Sequence, residues 1–347
     1  MAEPAAQAER AAGAEAPLLS VRGLARYFDA SPPLLNRLLA GGGRRTLKAV
    51  DGVSFDIPRG RTLGLVGESG SGKSTVARLV VGLYPPTAGT IAFDGRDLAS
   101  LRGARETAAL RRRLQIIFQD PYASLNPRWR VRDVIAEPLR VHALLSGRAA
   151  IRARVDELLL QVGLAAADGD RFPHEFSGGQ RQRISIARAL ASAPDFLVCD
   201  EPTSALDVSV QAQILNLMKA LQRRLGLTYL FISHNLAVIR HMADAVGVMY
   251  LGRLAELAEA RALFERPRHP YTRLLLATIP DLSLSGRPRA PVTGEVPSPI
   301  NPPAGCSFHP RCPYADARCR RERPEPLAIA GGGLVACHAV AEGRLPP

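Results

Sequence analysis

The sequence predicts an α/β protein: a parallel sheet carrying a phosphate-binding loop, a helical subdomain inserted into it, and a small Cys/Pro-rich C-terminal domain. Three observations carry that prediction. The run Gly67-Glu68-Ser69-Gly70-Ser71-Gly72-Lys73-Ser74-Thr75 matches G-x-x-x-x-G-K-[S/T]. Short apolar runs alternate with segments of helical periodicity on both sides of it. Beyond about residue 267 the composition turns to Pro, Arg and Cys, which sets a domain boundary there.

Met1 to Pro17 is Ala/Glu-rich, without the basic start and apolar stretch of a signal peptide, and reads as a disordered tail. Leu18 to Phe28 alternates loosely, as an opening strand does. Asp29 to Arg45 interrupts with Pro32-Pro33 and Gly41-Gly42-Gly43, a loop around one short amphipathic turn. Leu47 to Ile57 resumes the strand pattern. Thr62 to Val66 is a buried strand and Val76 to Val81 a helix, and the glycine-rich loop lies between them. Its glycines let backbone N–H groups turn onto an anion. The helix N-terminus adds a partial positive charge, Lys73 a full one, and Ser74 a hydroxyl for Mg²⁺ on the β- and γ-phosphates.

Gly89 to Asp94 is a strand before an Asp94-Gly95 turn, and Leu114 to Phe118 is a short strand ending at Gln119. From about 120 to 176 the texture is helical, with i, i+3, i+4 apolar spacing over Val131–Val141 and Ile151–Val162. Ser177 caps a helix from Gly179 to Ala191. Phe196 to Cys199 is a buried strand, Val208 to Leu225 a helix, Thr228 to Ile232 a strand and Asn235 to Ala243 a helix. Val246–Leu251 and Leu254–Leu257 close the sheet of a domain spanning 18–266. Asp200 and Glu201 follow a buried strand directly, and adjacent carboxylates there are costly without a task. Asp200 is placed to organise a metal's water shell, and Glu201 to take a proton from an attacking water.

The 347 residues suit two domains, and 46% hydrophobic content supports a real core. The net charge of +13 comes almost wholly from arginine, since the lysines are Lys48, Lys73 and Lys219 alone. The arginines are scattered and no aromatic-interleaved basic module accompanies them, so nucleic acid is not the expected partner. No apolar run has the roughly 18 residues of a membrane-spanning helix. Cys306, Cys312, Cys319 and Cys337 crowd the Pro-rich end with five, six and seventeen residues between them. That grouping reads as a metal staple. A [4Fe–4S] cluster on four thiolates is the first choice; zinc, with His309 or His338 substituting, and free or paired thiols are the alternatives. Cys199 reads as a small buried apolar residue.

At this point the chain resembles the ATP-binding cassette (ABC) family. Ser177-Gly178-Gly179-Gln180 looks like the family's signature motif, whose helix N-terminus would cap the γ-phosphate of ATP held by the other subunit. The resemblance makes Gln119 the metal- and water-sensing glutamine, His234 the switch histidine on the γ-phosphate, and Ser204-Ala205-Leu206-Asp207 the loop crossing the dimer interface. It makes Phe28 the aromatic that stacks on adenine, with Tyr27 beside it as the competing candidate. Two positions depart from the family's commoner choices: Phe176 stands where leucine is common and Asn235 where aspartate is.

Phe118 to Arg128, His269-Pro270-Tyr271-Thr272 and Pro297 to Pro303 resemble the oligopeptide/dipeptide importer branch, as does the 29–45 insertion. The resemblance covers nearly the whole chain after residue 17. It implies ATP and Mg²⁺ as cofactors, with a second related ATPase subunit as heterodimer partner. It further implies two separate permease subunits gripped by the helical segment, an extracytoplasmic substrate-binding protein, and a peripheral position on the cytoplasmic face of the membrane. The same branch handles nickel chelates and other small cargo.

Overall fold

The structure is a computed structural model that describes residues 16–31, 45–101, 103–277, 295–329 and 333–345. The tail read at 1–17 and the insertion read at 29–45 fall almost wholly outside the described residues.

Two sheets organise the fold. Strands β1 (Leu19–Asp29), β2 (Thr46–Ile57), β4 (Ala88–Phe93) and β5 (Arg96–Asp97) form an antiparallel sheet in the order β2-β1-β4-β5. Between them in sequence come β3 (Thr62–Val66) and helix α1 (Lys73–Val80). The chain then forms α2 (Ala104–Arg113), β6 (Leu114–Ile117), α3 (Pro121–Ser124), α4 (Val131–Val141), α5 (Arg148–Gln161), α6 (Gly178–Leu190) and β7 (Phe196–Asp200). It continues through α7 (Val208–Leu225), β8 (Thr228–Ile232), α8 (Leu236–Met242), β9 (Ala245–Tyr250) and β10 (Arg253–Glu259). The C-terminal part adds α9 (Ala260–Glu265), α10 (Pro270–Ala277), α11 (Ala317–Arg321), β11 (Leu327–Ala328), β12 (Gly333–Val335) and α12 (His338–Ala341). The second sheet runs β11-β12-β10-β9-β3-β8-β7-β6.

The centre of that sheet is parallel and reads as continuous apolar sequence because both faces are covered: every residue of β3, β7 and β8 is buried. Register explains why chemistry collects at one end. Ile232 is level with Leu65 on one side and Asp200 on the other, and Ile117 is level with Cys199. The residues that follow these strands therefore emerge side by side, at the carboxyl edge where α/β proteins hold ligands.

Two features lie beyond the periodicity argument. Helix α2 buries none of its residues and carries Arg111, Arg112 and Arg113 in its last turn, where they complement the helix dipole. It has no apolar stripe to read. The segment after residue 266 also contributes strands: Val335, Leu334 and Gly333 of β12 pair with Glu256, Leu257 and Ala258 of β10, extending the main sheet.

Several of the scattered arginines are held in ion pairs that join different elements. Arg113 bridges Asp94 and Asp195, Arg132 bridges Asp156 and Asp170, and Arg188 holds Glu137.

His269 ties the C-terminal segment to the sheet. It is 3% exposed, and its Nδ1 accepts the Tyr271 N–H at 2.9 Å. Burial pushes the imidazole down to about 4, against the opposing pull of a hydrogen bond to the Ala336 backbone. The unfolded chain thus takes up this proton first. The ring's contribution to stability is complete above about pH 6.5 and is lost as pH falls toward 4, on the order of 3 kcal/mol. Thermal unfolding measured from pH 7 to pH 4 is expected to show a drop that is clearly shallower in His269→Gln.

Candidate active site

The glycine-rich loop starts where β3 ends and feeds α1. Gly67 and Gly72 have φ of +151° and +100°. A Cβ on Gly67 would sit 2.2 Å from the Met249 carbonyl oxygen, and one on Gly72 would sit 2.1 Å from that of Ala49. Only glycine fits either place, and the loop wraps tightly as a result. Lys73 opens α1 and is 5% exposed. Its Nζ donates to the carbonyls of Gly67 and Glu68 at 2.8 and 3.0 Å and to Ser71 Oγ at 3.3 Å. Burial pulls its pKa down, while Glu201, Asp200 and Glu68 pull it back up.

Ser74 Oγ donates to Asp200 Oδ1 at 2.9 Å, which joins the loop to the end of β7. Asp200 is 4% exposed, and burial raises its pKa. The Ser74 bond opposes that rise and the charge of Glu201 adds to it. A hydroxyl and a buried carboxylate side by side are the oxygen donors that Mg²⁺ takes beside phosphates, so the residues present fit the metal.

Glu201 is held at φ +49°, with its N–H on the Ile232 carbonyl at 3.0 Å. That left-handed backbone costs about 1–2 kcal/mol for a side-chain-bearing residue, and it turns the carboxylate toward the loop edge. Two partners meet there. Gln119 Nε2 donates to Glu201 Oε2 at 3.2 Å, and His234 Nδ1 lies 3.0 Å from the same oxygen. Gln119 comes from the end of β6 and His234 from the end of β8, as the register requires. The Glu201 side chain is 14% exposed and that of His234 60%, so the histidine stands at the rim.

The structure gathers Gly67–Thr75, Asp200, Glu201, Gln119 and His234. Ser177–Gln180 stand elsewhere. The Ser177 hydroxyl accepts the Gln180 N–H at 3.4 Å, and Gln180 Oε1 accepts the Ser177 N–H at 3.0 Å. This reciprocal cap closes the N-terminus of α6 on itself. Gly178 and Gly179 let that end approach the loop before α7 and the first turn of α7: a Cβ on Gly178 would meet Leu206 at 3.3 Å and one on Gly179 would meet Val210 Cγ1 at 2.4 Å. Asp207 is exposed in this loop, beside the 83% exposed Val208.

The pair Tyr27–Phe28 separates cleanly. The Tyr27 hydroxyl donates to Asp51 Oδ1 at 2.7 Å, which occupies that ring. Phe28 is half-buried on the opposite side of the strand, edge-on to Tyr84 at 5.7 Å, with the Arg26 guanidinium over its face at 4.7 Å.

In the C-terminal segment, Cys306, Cys312, Cys319 and Cys337 lie within electrostatic reach of one another. Burial, and then their mutual proximity, push Cys306 and Cys312 up to about 11 and raise Cys337. Backbone N–H groups of Phe308 and His309 bear on Cys306, Tyr314 on Cys312, and Ala339 and Val340 on Cys337; the Arg344 side chain bonds Cys319. Among the described residues, no group of three or more His, Cys, Asp or Glu is arranged to hold a metal ion. The predicted metal staple therefore has converging thiols without a finished site.

The residues that sequence reasoning missed are Arg311 and the Tyr271 hydroxyl, both of which touch Glu68 of the loop. Tyr271 stood inside a segment singled out above, while Arg311 had no signal beyond its place before Cys312.

Fold and loop together define a phosphate-loop nucleotide-binding protein with its site at the carboxyl edge of a parallel sheet. Comparison with known proteins narrows the class. The ABC transporter family matches residues 50–204, and the C-terminal region of oligopeptide/dipeptide transporters matches residues 255–319. YkfD of Bacillus subtilis, a putative oligopeptide transport ATP-binding protein, is 52% identical over 325 residues, spanning 93% of this chain and 95% of its own. AppF of the same organism, an oligopeptide transport ATP-binding protein, is 48% identical over 92% of this chain and 97% of its own. Among solved structures, the ATP-binding cassette MJ0796 in a post-hydrolysis dimer with ADP and Pi superposes with a TM-score of 0.61. It is 26% identical and covers 70% of this chain and 99% of that one. The chain belongs to the ABC transporter family, in its oligopeptide/dipeptide group.

The geometry around Glu201 generates a direct expectation. Glu201→Gln keeps the side chain's shape and removes its basicity, so ATP binding should persist while turnover falls about 10²–10⁴-fold. Equilibrium nucleotide binding and single-turnover phosphate release check both halves.

Proposed function

We propose that this chain is the ATP-hydrolysing subunit of an importer that takes up oligopeptides or dipeptides through separate permease subunits. The observation that carries the reading is the meeting of Gln119 and His234 on the Glu201 carboxylate, beside the Ser74–Asp200 pair. In this reading Lys73 and the loop amides bind the phosphates, and Ser74 and Gln119 take Mg²⁺, with Asp200 ordering its water. Phe28 stacks on adenine. Glu201 receives the proton of a water that attacks the γ-phosphorus as ADP leaves, and His234 contacts that phosphate. Ser177–Gln180 of one subunit cap the ATP of the other across the interface, with Asp207 in the loop that crosses it. The exposure of Asp207 and Val208 supports a surface made for a partner.

The proposed assembly is a heterodimer of two related ATPases, two permeases and an extracytoplasmic binding protein, with this chain peripheral on the cytoplasmic face of the membrane. No helix among the described residues is long and apolar enough to cross a membrane. Permease contact falls to the helical segment after Gln119. There Tyr122, Trp129 and Val141 are exposed, and a cavity of about 240 Å³ opens between Phe118, Pro138 and Arg188. The cargo follows from the branch: the names of YkfD and AppF support peptide, with nickel chelates or other small molecules as the alternative cargo of the same mechanism. In proteoliposomes holding the assembled transporter, Lys73→Ala should abolish both ATP hydrolysis and peptide uptake. Uptake that survives without Lys73 overturns the reading.

A [4Fe–4S] cluster on Cys306, Cys312, Cys319 and Cys337 is the proposed staple of the C-terminal segment. N–H donors aimed at the buried thiols offset part of the rise that burial imposes on them. In the histidine-assisted zinc alternative, His309 Nδ1 is 2.9 Å from the Cys306 carbonyl oxygen and His338 Nε2 is 3.0 Å from that of Glu322, which leaves the other nitrogen of each ring to take the metal. Anaerobically purified protein should contain iron and acid-labile sulfide, both lost in Cys312→Ser. Stoichiometric zinc without iron rejects the cluster.

A further inference from the structure

The C-terminal segment reaches the phosphate loop itself. Arg311 lies in the turn just before Cys312, and its side chain is only 3% exposed. Its guanidinium grips Glu68 with both prongs: Nη1 is 2.7 Å from Oε2 and Nη2 is 3.0 Å from Oε1. The Tyr271 hydroxyl, from α10, accepts the Glu68 backbone N–H at 3.0 Å. Both the carboxylate and the backbone of the loop's second residue are therefore held from the far end of the chain. The rings that aim these groups are packed together. Tyr250 and Tyr271 are 4.6 Å apart, and Phe308 is 5.3 Å from each.

Glu68 matters for two reasons. Its carbonyl is one of the three acceptors that hold Lys73 Nζ, so its backbone shapes the lysine's cradle. Its carboxylate also places a negative charge in a loop that must receive a polyanion. A bidentate guanidinium fixes such a group and cancels its charge at once.

We infer that Arg311 and Tyr271 are positioning residues for nucleotide binding, acting through Glu68 to hold the loop's backbone and to cancel its one acidic charge. The inference rests on the reading of Gly67–Thr75 as the phosphate site. It makes the C-terminal segment a working part of that site.

The test reads ATP affinity on the purified full chain and steady-state hydrolysis in the assembled transporter. Arg311→Met should raise the Kd and KM for ATP about tenfold, equivalent to about 1.4 kcal/mol. kcat should stay within about threefold, since the interaction serves binding and not the transition state. Adding Glu68→Gln to Arg311→Met should bring the affinity back toward that of the parent, because the uncancelled charge is gone. Tyr271→Phe, which removes no hydroxyl-independent packing, should weaken ATP binding by a smaller factor. If Arg311→Met does not fold, Arg311→Lys, which keeps the charge without the fork, is read the same way, with a smaller loss of affinity expected. An unchanged Kd in the folded Arg311 variant, or no recovery in the double variant, overturns the inference: a residue that only glues the segment down would lower Tm and show no charge-specific rescue. Lys73→Ala separates the two levels. If it binds ATP like the parent, the phosphate-site reading falls; if it loses ATP while the Arg311 variant does not shift, only this inference falls.

Discussion

A cluster of opposite charges held largely out of water at and beyond the ends of β3 and β7, on either side of β8, governs this structure. Lys73, Asp200 and Glu201 would each be costly alone in that place. The lysine offsets part of that cost: the carboxylates draw it back toward its charged form, and Ser74 and Lys73 favour the charged form of Asp200 against burial and the neighbouring charge of Glu201. The parallel register makes the cluster possible, since Leu65, Ile232 and Asp200 lie in one row and whatever follows them must converge. The strain at Glu201 is local to this meeting point, and two partners from different strands bond the carboxylate it presents.

The antiparallel sheet and the C-terminal strands do different work around this centre. The backbone of β2 runs close behind the loop, near enough that the Ala49 carbonyl forbids a side chain on Gly72. On the other side, β12 lengthens the sheet and brings the cysteine-bearing turns alongside β10. The aromatic packing of Tyr250, Tyr271 and Phe308 then spans a β9 residue, a helix and a turn that are remote in sequence. Loop, sheet edge and C-terminal segment thus share one buried contact region.

Much of the site was legible because its chemistry depends on short-range patterns. The glycine–lysine loop, the carboxylates after an apolar strand and the Ser177 cap all declare themselves within a few residues, and the structure puts each at the predicted strand or helix end. Gln119 and His234 needed the family resemblance, since a single glutamine or histidine has no local signature. What stayed hidden depends on long-range contact. Helix α2 lacks an apolar face, so periodicity had nothing to detect. The three-residue strand β12 has too little sequence to show alternation, and it exists because β10 offers it an edge. The partner of the Tyr27 hydroxyl is Asp51, a residue of another strand, which no local pattern announces.

The Glu68–Arg311 pair is the extreme case of that hidden class, joining residues 243 apart. Removing either partner from a buried ion pair leaves a charge without compensation, and the loss then exceeds what the pair contributed. The pair therefore binds the fates of the loop and the C-terminal segment. On the inference drawn from this pair, the cysteine-rich end acts as part of the ATP-binding unit and not as an appendage to it.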